Sequence, residues 1–256
     1  MSLNLVDYHI HSSHSSDGTA SIIDMCQRAR TIGIHEIGFS EHIEFDPQDW
    51  GYGYFDYEQY TFDIDRTREQ FSNTLIIRKG VEVDYQHWVE DDIRDWLKEK
   101  EFDFVIGSVH YLNRQYISDK LISEGHLQDI YNLYFTEVNN SITSRLFDIV
   151  GHLDLPWRYT YRNRESFDQI SYWNNMQETL TKIIDADMYL EINTKGLREP
   201  CCSTYPSQSV LNTYFDHGGH LISVGSDAHS TQEIGMGVKG ILTSLSGKRF
   251  TLFHAK

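Results

Sequence analysis

The chain has 256 residues, of which 39% are hydrophobic and 13% aromatic, so it can bury a large core. Its 38 acidic and 22 basic residues give a formal net charge of −16, which disfavours extended binding to nucleic-acid phosphates. The sequence has no apolar stretch of about 18 residues, no signal-peptide pattern and no linker, and its three cysteines suit neither a zinc motif nor a disulfide framework. We therefore expect one cytoplasmic domain over residues 1–256, without membrane or nucleic-acid partners.

The first apolar run, residues 6–11, ends in His9 and His11, which are separated by one residue. On a strand, residues i and i+2 point the same way, so both imidazoles can bind one metal ion from the same side. The alternative is a pair of surface histidines on a loop. Metal binding by this pair is favoured because five later strand-like runs also end in potential ligands. In chain order these are Glu41-His42, Glu82, His110, His152, and Asp227 with His229.

The segments between these runs have apolar residues three or four positions apart, which predicts amphipathic helices. One helix follows Ser21 as its N-cap and stops at Gly33. Others are predicted over residues 60–71 and 168–185, and from Ser207 to Gly218-Gly219.

Strands that alternate with helices favour a parallel α/β sheet, because parallel neighbours need a crossover connection. With a turn at residues 191–195, the candidate ligand positions indicate seven strand-helix units, each of about 30 residues or more. An open sheet or a barrel accepts this pattern. Only a closed barrel brings all strand ends around one mouth, so we predict a barrel with its site at the carboxyl ends of the strands.

Together these motifs resemble the polymerase and histidinol phosphatase (PHP) superfamily, and within it the histidinol-phosphate phosphatases. The matching segments run in order from residue 7 to residue 229. They are DYHIHSS with Asp17-Gly18, Ser40-Glu41-His42, Gly80-Val81-Glu82, IGSVHY at 106–111, GHLD at 151–154, EINT at 191–194 with Gly196-Leu197-Arg198, Tyr205-Pro206-Ser207, and GSDAH at 225–229.

The resemblance implies a distorted seven-stranded (β/α)7 TIM-like barrel with three divalent metal ions, and it assigns nine ligands. The first ion takes His9, His11, Glu82 and Asp227; the second takes Glu82, His110 and His152; the third takes Asp17, His42 and His229. Neutral imidazoles suit zinc, iron or manganese, and a carboxylate such as Glu82 can bridge two ions.

Asp17 departs from the family pattern, since many relatives have a histidine there. An aspartate makes the third site richer in oxygen and favours a harder ion such as manganese. His14 is a rival ligand, and Asp17-Gly18 also fits an ordinary turn.

Three cations are candidates for binding a substrate phosphate: Arg158, Lys195 and Arg198. Alternatively, Arg158 and Arg198 form ion pairs with acids such as Glu165 or Glu199. Lys195 replaces a small residue that is common in relatives, and residues 199–204 lack the acid often found before the Tyr-Pro pair.

We expect a phosphomonoesterase that hydrolyses L-histidinol phosphate to L-histidinol and phosphate, in histidine biosynthesis. A metal-bridging hydroxide would attack phosphorus, with the carboxylates of Glu82, Asp17 and Asp227 at the catalytic centre. One alternative is a PHP-type phosphodiesterase or exonuclease acting on nucleotides. Another is a non-catalytic, metal-stabilised interaction module, which the presence of all nine ligands disfavours.

Overall fold

Eight parallel strands form one curved sheet in the computed structural model, which describes residues 5–162 and 169–255. A separate two-stranded hairpin follows the fourth strand. The strands in chain order are β1 (Leu5–Asp7), β2 (Ile34–Ile43), β3 (Ile76–Asp84), β4 (Phe104–Ser108), β5 (Tyr111–Leu112), β6 (Gln115–Tyr116), β7 (Ile149–Val150), β8 (Tyr189–Asn193), β9 (Leu221–Gly225) and β10 (Thr251–Leu252).

Helices connect most of the successive sheet strands, as the alternating pattern predicts. They are α1 (Ile22–Thr31), α2 (Tyr57–Phe71), α3 (Glu90–Lys98), α4 (Asp119–Glu124), α5 (Leu127–Ser144), α6 (Trp157–Thr160), α7 (Gln169–Asp185), α8 (Gln208–Asp216) and α9 (Val238–Ser244), with 3-10 turns at His87–Val89 and Lys195–Arg198.

The predicted helices are present with small differences at their ends. The Ser21 side chain caps α1 by accepting a hydrogen bond from the Asp24 N–H, and Gly33 follows the helix with φ +81°. Ser207 occupies the N-cap position of α8, but its hydroxyl pairs with Ser209 and makes no cap bond. Asp168, predicted to begin α7, lies outside the described residues. The helical pattern did not predict α3, α4, α5, α6 or α9.

The sheet closes into a barrel between strands β1 and β9. Its order is β1-β2-β3-β4-β7-β8-β9-β10, and every neighbouring pair is parallel. The Tyr8 N–H donates to the Val224 carbonyl (3.1 Å), and the His11 N–H donates to the Ala228 carbonyl (2.8 Å). Seven strands therefore make the ring, and the short strand β10 adds an eighth beside β9. The predicted α/β class and the distorted barrel are confirmed.

Asp7 holds this closure from inside the protein. Its carboxylate is fully buried and accepts hydrogen bonds from the N–H groups of Ser226 (2.8 Å) and Gly235 (2.9 Å), both beyond β9. A buried charge-assisted bond of this kind is stronger than one between neutral groups. Beside the main-chain bonds, one side chain that neighbours the predicted ligands therefore supports the closure.

An apolar cluster lies toward the amino ends of the strands. The Tyr8 ring meets the rings of Phe104 and Phe253 edge to face, with centroids 5.4 and 5.0 Å apart. Gly80 makes space for Phe104, since a Cβ at this position would lie 2.4 Å from that ring. Two larger clusters pack the helices against the strands. Within the described part of the chain, no helix is long and apolar enough to span a membrane.

We expect Asp7→Asn to lower the free energy of unfolding by about 1–3 kcal/mol, because an amide cannot accept from two opposed N–H groups without turning its own NH2 towards one of them. Urea unfolding monitored by circular dichroism measures this change. Asp187→Asn, at an exposed turn, is the matched control and should change stability by less than about 0.5 kcal/mol. Equal stability of the two variants would contradict the role of Asp7 in closure.

Candidate metal centre

The nine predicted ligands lie together at the carboxyl-end mouth of the barrel. Two belong to strands, His42 on β2 and Glu82 on β3, and the others lie in the segments that follow or precede strands. Side-chain atoms of each ligand lie within 3.7 Å of those of another ligand in the set. Ligands far apart in sequence therefore form one cluster.

One oxygen of the buried Glu82 carboxylate faces three histidines. Its Oε2 lies 3.1 Å from His9 Nε2, 3.4 Å from His11 Nε2 and 3.2 Å from His42 Nδ1. His9 and His11 thus point to the same side, as their spacing predicts. Burial alone would raise the pKa of Glu82, but the surrounding histidines hold it well below its usual value.

The other oxygen of Glu82 faces a second pair of histidines. Its Oε1 lies 2.7 Å from His152 Nε2 and 3.5 Å from His110 Nε2, and it accepts a hydrogen bond from Ser108 Oγ (2.5 Å). A carboxylate whose two oxygens face separate sets of imidazoles has the geometry of a bridge between two ions.

Asp17 and Asp227 bring the remaining carboxylates to the cluster. Asp17 Oδ2 lies 2.9 Å from His229 Nε2 and 3.7 Å from His42 Nε2, while Asp227 Oδ1 lies 3.4 Å from His229 Nδ1. His14, the rival to Asp17, instead places its Nε2 3.2 Å from Asp63 Oδ2. Of the two alternatives, Asp17 is the one that contacts the other ligands.

The donor atoms fit divalent metal ions. His11 Nε2, His152 Nδ1 and Asp17 Oδ1 are buried and have no hydrogen-bond partner among the described residues. Burial also lowers the pKa of His11 well below its usual value and that of His42 to about 4, which favours the neutral imidazole that binds a metal. Three groups have ligand atoms within 4.8 Å of one another: His11-His42-His229, His9-His11-Glu82 and His42-Glu82-His110.

One of these groups, His9-His11-Glu82, lies within the ligand set predicted for the first ion, and the other two combine ligands from different predicted sets. His11 lies with His42 and His229 as well as with His9, and His42 lies with Glu82 and His110. The assignment of nine ligands to three particular ions therefore stays a prediction, while the cluster itself supplies several metal-binding groups.

Two acids behind the ligands were not identified from the sequence as site residues. Glu191 on β8 lies with Oε1 2.6 Å from His9 Nδ1, and its Oε2 accepts from the His152 N–H (2.6 Å). Asp84 Oδ1 lies 3.2 Å from His110 Nδ1 and accepts from the His110 N–H (2.8 Å). Burial alone would lower the pKa of His9, but the carboxylates of Glu191 and Glu82 raise it well above its usual value. Strand alternation gives a signal for Asp84, which lies two residues after Glu82.

A pocket opens above the cluster, and two of the three predicted phosphate-binding cations line it. Arg158, on α6, lines the pocket and also pairs with Glu199, as the alternative interpretation predicted. Glu165, the other predicted partner, lies outside the described residues. Lys195 Nζ donates to Asp227 Oδ1 (2.8 Å).

Arg198 occupies a different place from the other two cations. Its Nη2 donates to the carbonyls of Ser226 (2.9 Å) and Asp227 (3.4 Å), and it is not among the described residues that line the pocket. It supports the main chain that carries Asp227, and its predicted contact with phosphate stays a prediction.

A parallel barrel with histidines and carboxylates gathered at the carboxyl ends of its strands defines the class of metal-dependent α/β-barrel proteins. The family model of the PHP domain matches residues 7–195, and the chain belongs to this family.

Relatives of this chain carry one recurring name. The probable histidinol-phosphatase of Deinococcus radiodurans is 26% identical over 265 residues, covering 98% of each chain. The histidinol-phosphatase of Lactococcus lactis subsp. lactis is 27% identical over 231 residues, covering 88% of this chain and 84% of that protein. The crystal structure of histidinol phosphate phosphatase from Lactococcus lactis subsp. lactis, complexed with zinc, L-histidinol and phosphate, has a TM-score of 0.85 at 21% identity. It covers 99% of this chain and 97% of that one.

We expect Glu191→Gln to weaken the binding of added Zn²⁺ about 10- to 100-fold, because Glu191 orients His9 and the main chain of His152. Competition with a chromogenic chelator measures the affinity. Glu69→Gln, which removes one exposed charge from α2, is the matched control and should leave the affinity unchanged. Wild-type affinity in Glu191→Gln would contradict the positioning role.

Proposed function

We propose that this protein is a metal-dependent phosphomonoesterase that hydrolyses L-histidinol phosphate to L-histidinol and phosphate. The observation that carries the proposal is a cluster of imidazoles around one buried carboxylate, at the floor of a pocket that also holds Arg158 and Lys195. The relatives named histidinol-phosphatase support this substrate. Histidinol phosphate and inorganic phosphate are its proposed small-molecule partners, and the cytoplasm is its proposed location.

We propose three divalent ions at this centre, bound by the nine ligands described above. When bound, such ions lower the pKa of a coordinated water and take up negative charge from phosphoryl oxygens. Glu82, at the middle of the cluster, offsets part of the positive charge that the ions bring. Asp17 and Asp227 do the same at the side nearest Lys195.

The pocket cations would position the phosphoryl group over the cluster. The guanidinium of Arg158 can bind two phosphoryl oxygens at once, and Glu199 fixes its orientation. Lys195 adds a point charge beside Asp227. Trp50, Tyr111 and Tyr116 form part of the pocket wall. The chain's own residues thus bind and orient the monoester.

We expect the metal-loaded protein to release phosphate from histidinol phosphate at least about 100-fold faster than it cleaves a phosphodiester such as bis(p-nitrophenyl) phosphate or a short oligonucleotide. Chelation should abolish the release, and added Zn²⁺ or Mn²⁺ should restore it. Phosphate release and metal content, from elemental analysis, are measured on the same samples.

Glu82→Gln is the control for contaminating phosphatases, and it should lose at least about 100-fold in activity because a neutral amide cannot bridge two ions. A fully active Glu82→Gln protein would refute the bridging role. Preference for the diester would overturn the proposed substrate, and full activity with fewer than two ions per chain would overturn the proposed mechanism.

We expect Arg158→Ala to raise the KM for histidinol phosphate and the inhibition constant of inorganic phosphate about 10- to 100-fold, because a charged hydrogen bond to phosphate is lost. Steady-state kinetics measure both constants. Arg162→Ala, which removes an exposed arginine nearby, is the control. Unchanged phosphate inhibition in Arg158→Ala would show that Arg158 serves only its pair with Glu199.

A further inference from the structure

Glu44 is an acidic residue in the pocket that the proposed reaction does not use. It follows the end of β2, two residues beyond His42, and lines the same pocket as the metal cluster. Its carboxylate forms no hydrogen bond or ion pair with any residue of the described ranges. A half-buried carboxylate without a partner is costly to ionise, and a cationic ligand would offset that cost.

The loop that follows Glu44 leaves space for its carboxylate. A Cβ on Gly51 would lie 2.5–2.7 Å from three atoms of the Glu44 carboxyl group. The Gly51 backbone therefore packs directly against that group, and any side chain at this position would displace it. The adjacent Trp50 and the nearby Tyr111 also line the pocket.

Further acids lie behind Glu44 and increase the negative potential at this end of the pocket. Asp49 and Asp84 both accept hydrogen bonds from Gln86 Nε2, at 2.6 and 2.8 Å. Asp49 is buried, and its Oδ1 has no hydrogen-bond partner among the described residues. No lysine or arginine of the described chain pairs with Glu44, Asp49 or Asp84.

The pocket cations lie on the opposite side of the mouth. In the closed ring, Glu44 follows β2, whereas Arg158 lies beyond β7 and Lys195 beyond β8. Each of these two strands is three positions away from β2 around the seven-stranded ring. The pocket is therefore polarised, with cations that suit a phosphate on one side and an unpaired carboxylate on the other.

We propose that Glu44 binds a protonated nitrogen of the leaving-group alcohol, and so selects phosphomonoesters of cationic alcohols. This inference rests on the proposed function. L-histidinol offers an ammonium group and an imidazole ring, either of which supplies such a nitrogen when protonated. The rings of Trp50 and Tyr111 favour the same occupant, since aromatic faces attract cations.

The test compares substrates with and without the positive charge. Glu44→Gln should lower kcat/KM for L-histidinol phosphate about 10- to 100-fold, and for phenyl phosphate by less than about threefold. Inhibition by L-histidinol should weaken in parallel, whereas inhibition by inorganic phosphate should not. Gly51→Ala, which displaces the carboxylate without removing it, should change the substrate ratio in the same direction.

A third substrate identifies the nitrogen. The phosphate monoester of 3-(imidazol-4-yl)propan-1-ol keeps the ring and lacks the amine. If Glu44→Gln leaves kcat/KM for this compound unchanged, the ammonium group of L-histidinol is the partner of Glu44. If Glu44→Gln lowers it as much as for L-histidinol phosphate, the imidazole ring is the partner. Glu69→Gln is the matched control and should leave all substrate ratios unchanged.

Two results would overturn the inference: an equal loss on all substrates in Glu44→Gln protein with wild-type thermal stability, or no loss on histidinol phosphate. Failure of the proposed function is distinguishable, because the wild-type protein would then hydrolyse phenyl phosphate and not histidinol phosphate. In that case the inference is tested with phosphoethanolamine, whose alcohol is cationic, and ethyl phosphate, whose alcohol is neutral. If Glu44→Gln lowers kcat/KM equally for both compounds, the inference about Glu44 is overturned.

Discussion

The structure depends on one buried negative charge, the carboxylate of Glu82. Its side chain is almost completely removed from water, and no lysine or arginine of the described chain contacts it. Desolvating a carboxylate costs several kcal/mol, so nearby groups must offset that cost. The compensation comes from the Ser108 hydroxyl and from four imidazoles, those of His9, His42, His110 and His152, which different strands bring to the same point. A barrel with converging strand ends supplies that arrangement directly.

The same segments that close the barrel also position the ligands. The Ala228 N–H donates to the His9 carbonyl and the His11 N–H to the Ala228 carbonyl, so the ligand-bearing segments after β1 and β9 are hydrogen-bonded to each other. Asp7 and Glu191 add side-chain bonds behind them. Such outer contacts fix the orientation of metal ligands. Stability of the fold and precision of the site are therefore linked through shared hydrogen bonds.

The clustering of the nine predicted ligands could be expected from the sequence, because eight of them follow apolar runs and the family resemblance supplies Asp17. Glu191 was placed only in a turn, since an acid within a short buried strand does not reveal which histidine it contacts. The contact of Lys195 with Asp227 joins residues far apart in sequence, and only the closed ring brings them together. Helix α5 was missed although it has 18 residues and its buried apolar residues, from Leu127 to Ile142, recur three or four positions apart, so the signal for this helix is present in the sequence.

The net negative charge of the chain disfavours an anionic substrate, but cations in the pocket offset this charge near the binding site. A net charge of −16 repels phosphate at long range, but the field within the site is set by the nearest groups. Arg158 and Lys195 face the phosphate end, and the ions proposed for the cluster would add more positive charge there. At the other end the unpaired Glu44 has the same sign as the overall surface. A substrate that carries both charges is attracted at both ends and has one favourable orientation, whereas a simple phosphate is attracted only at the phosphate end.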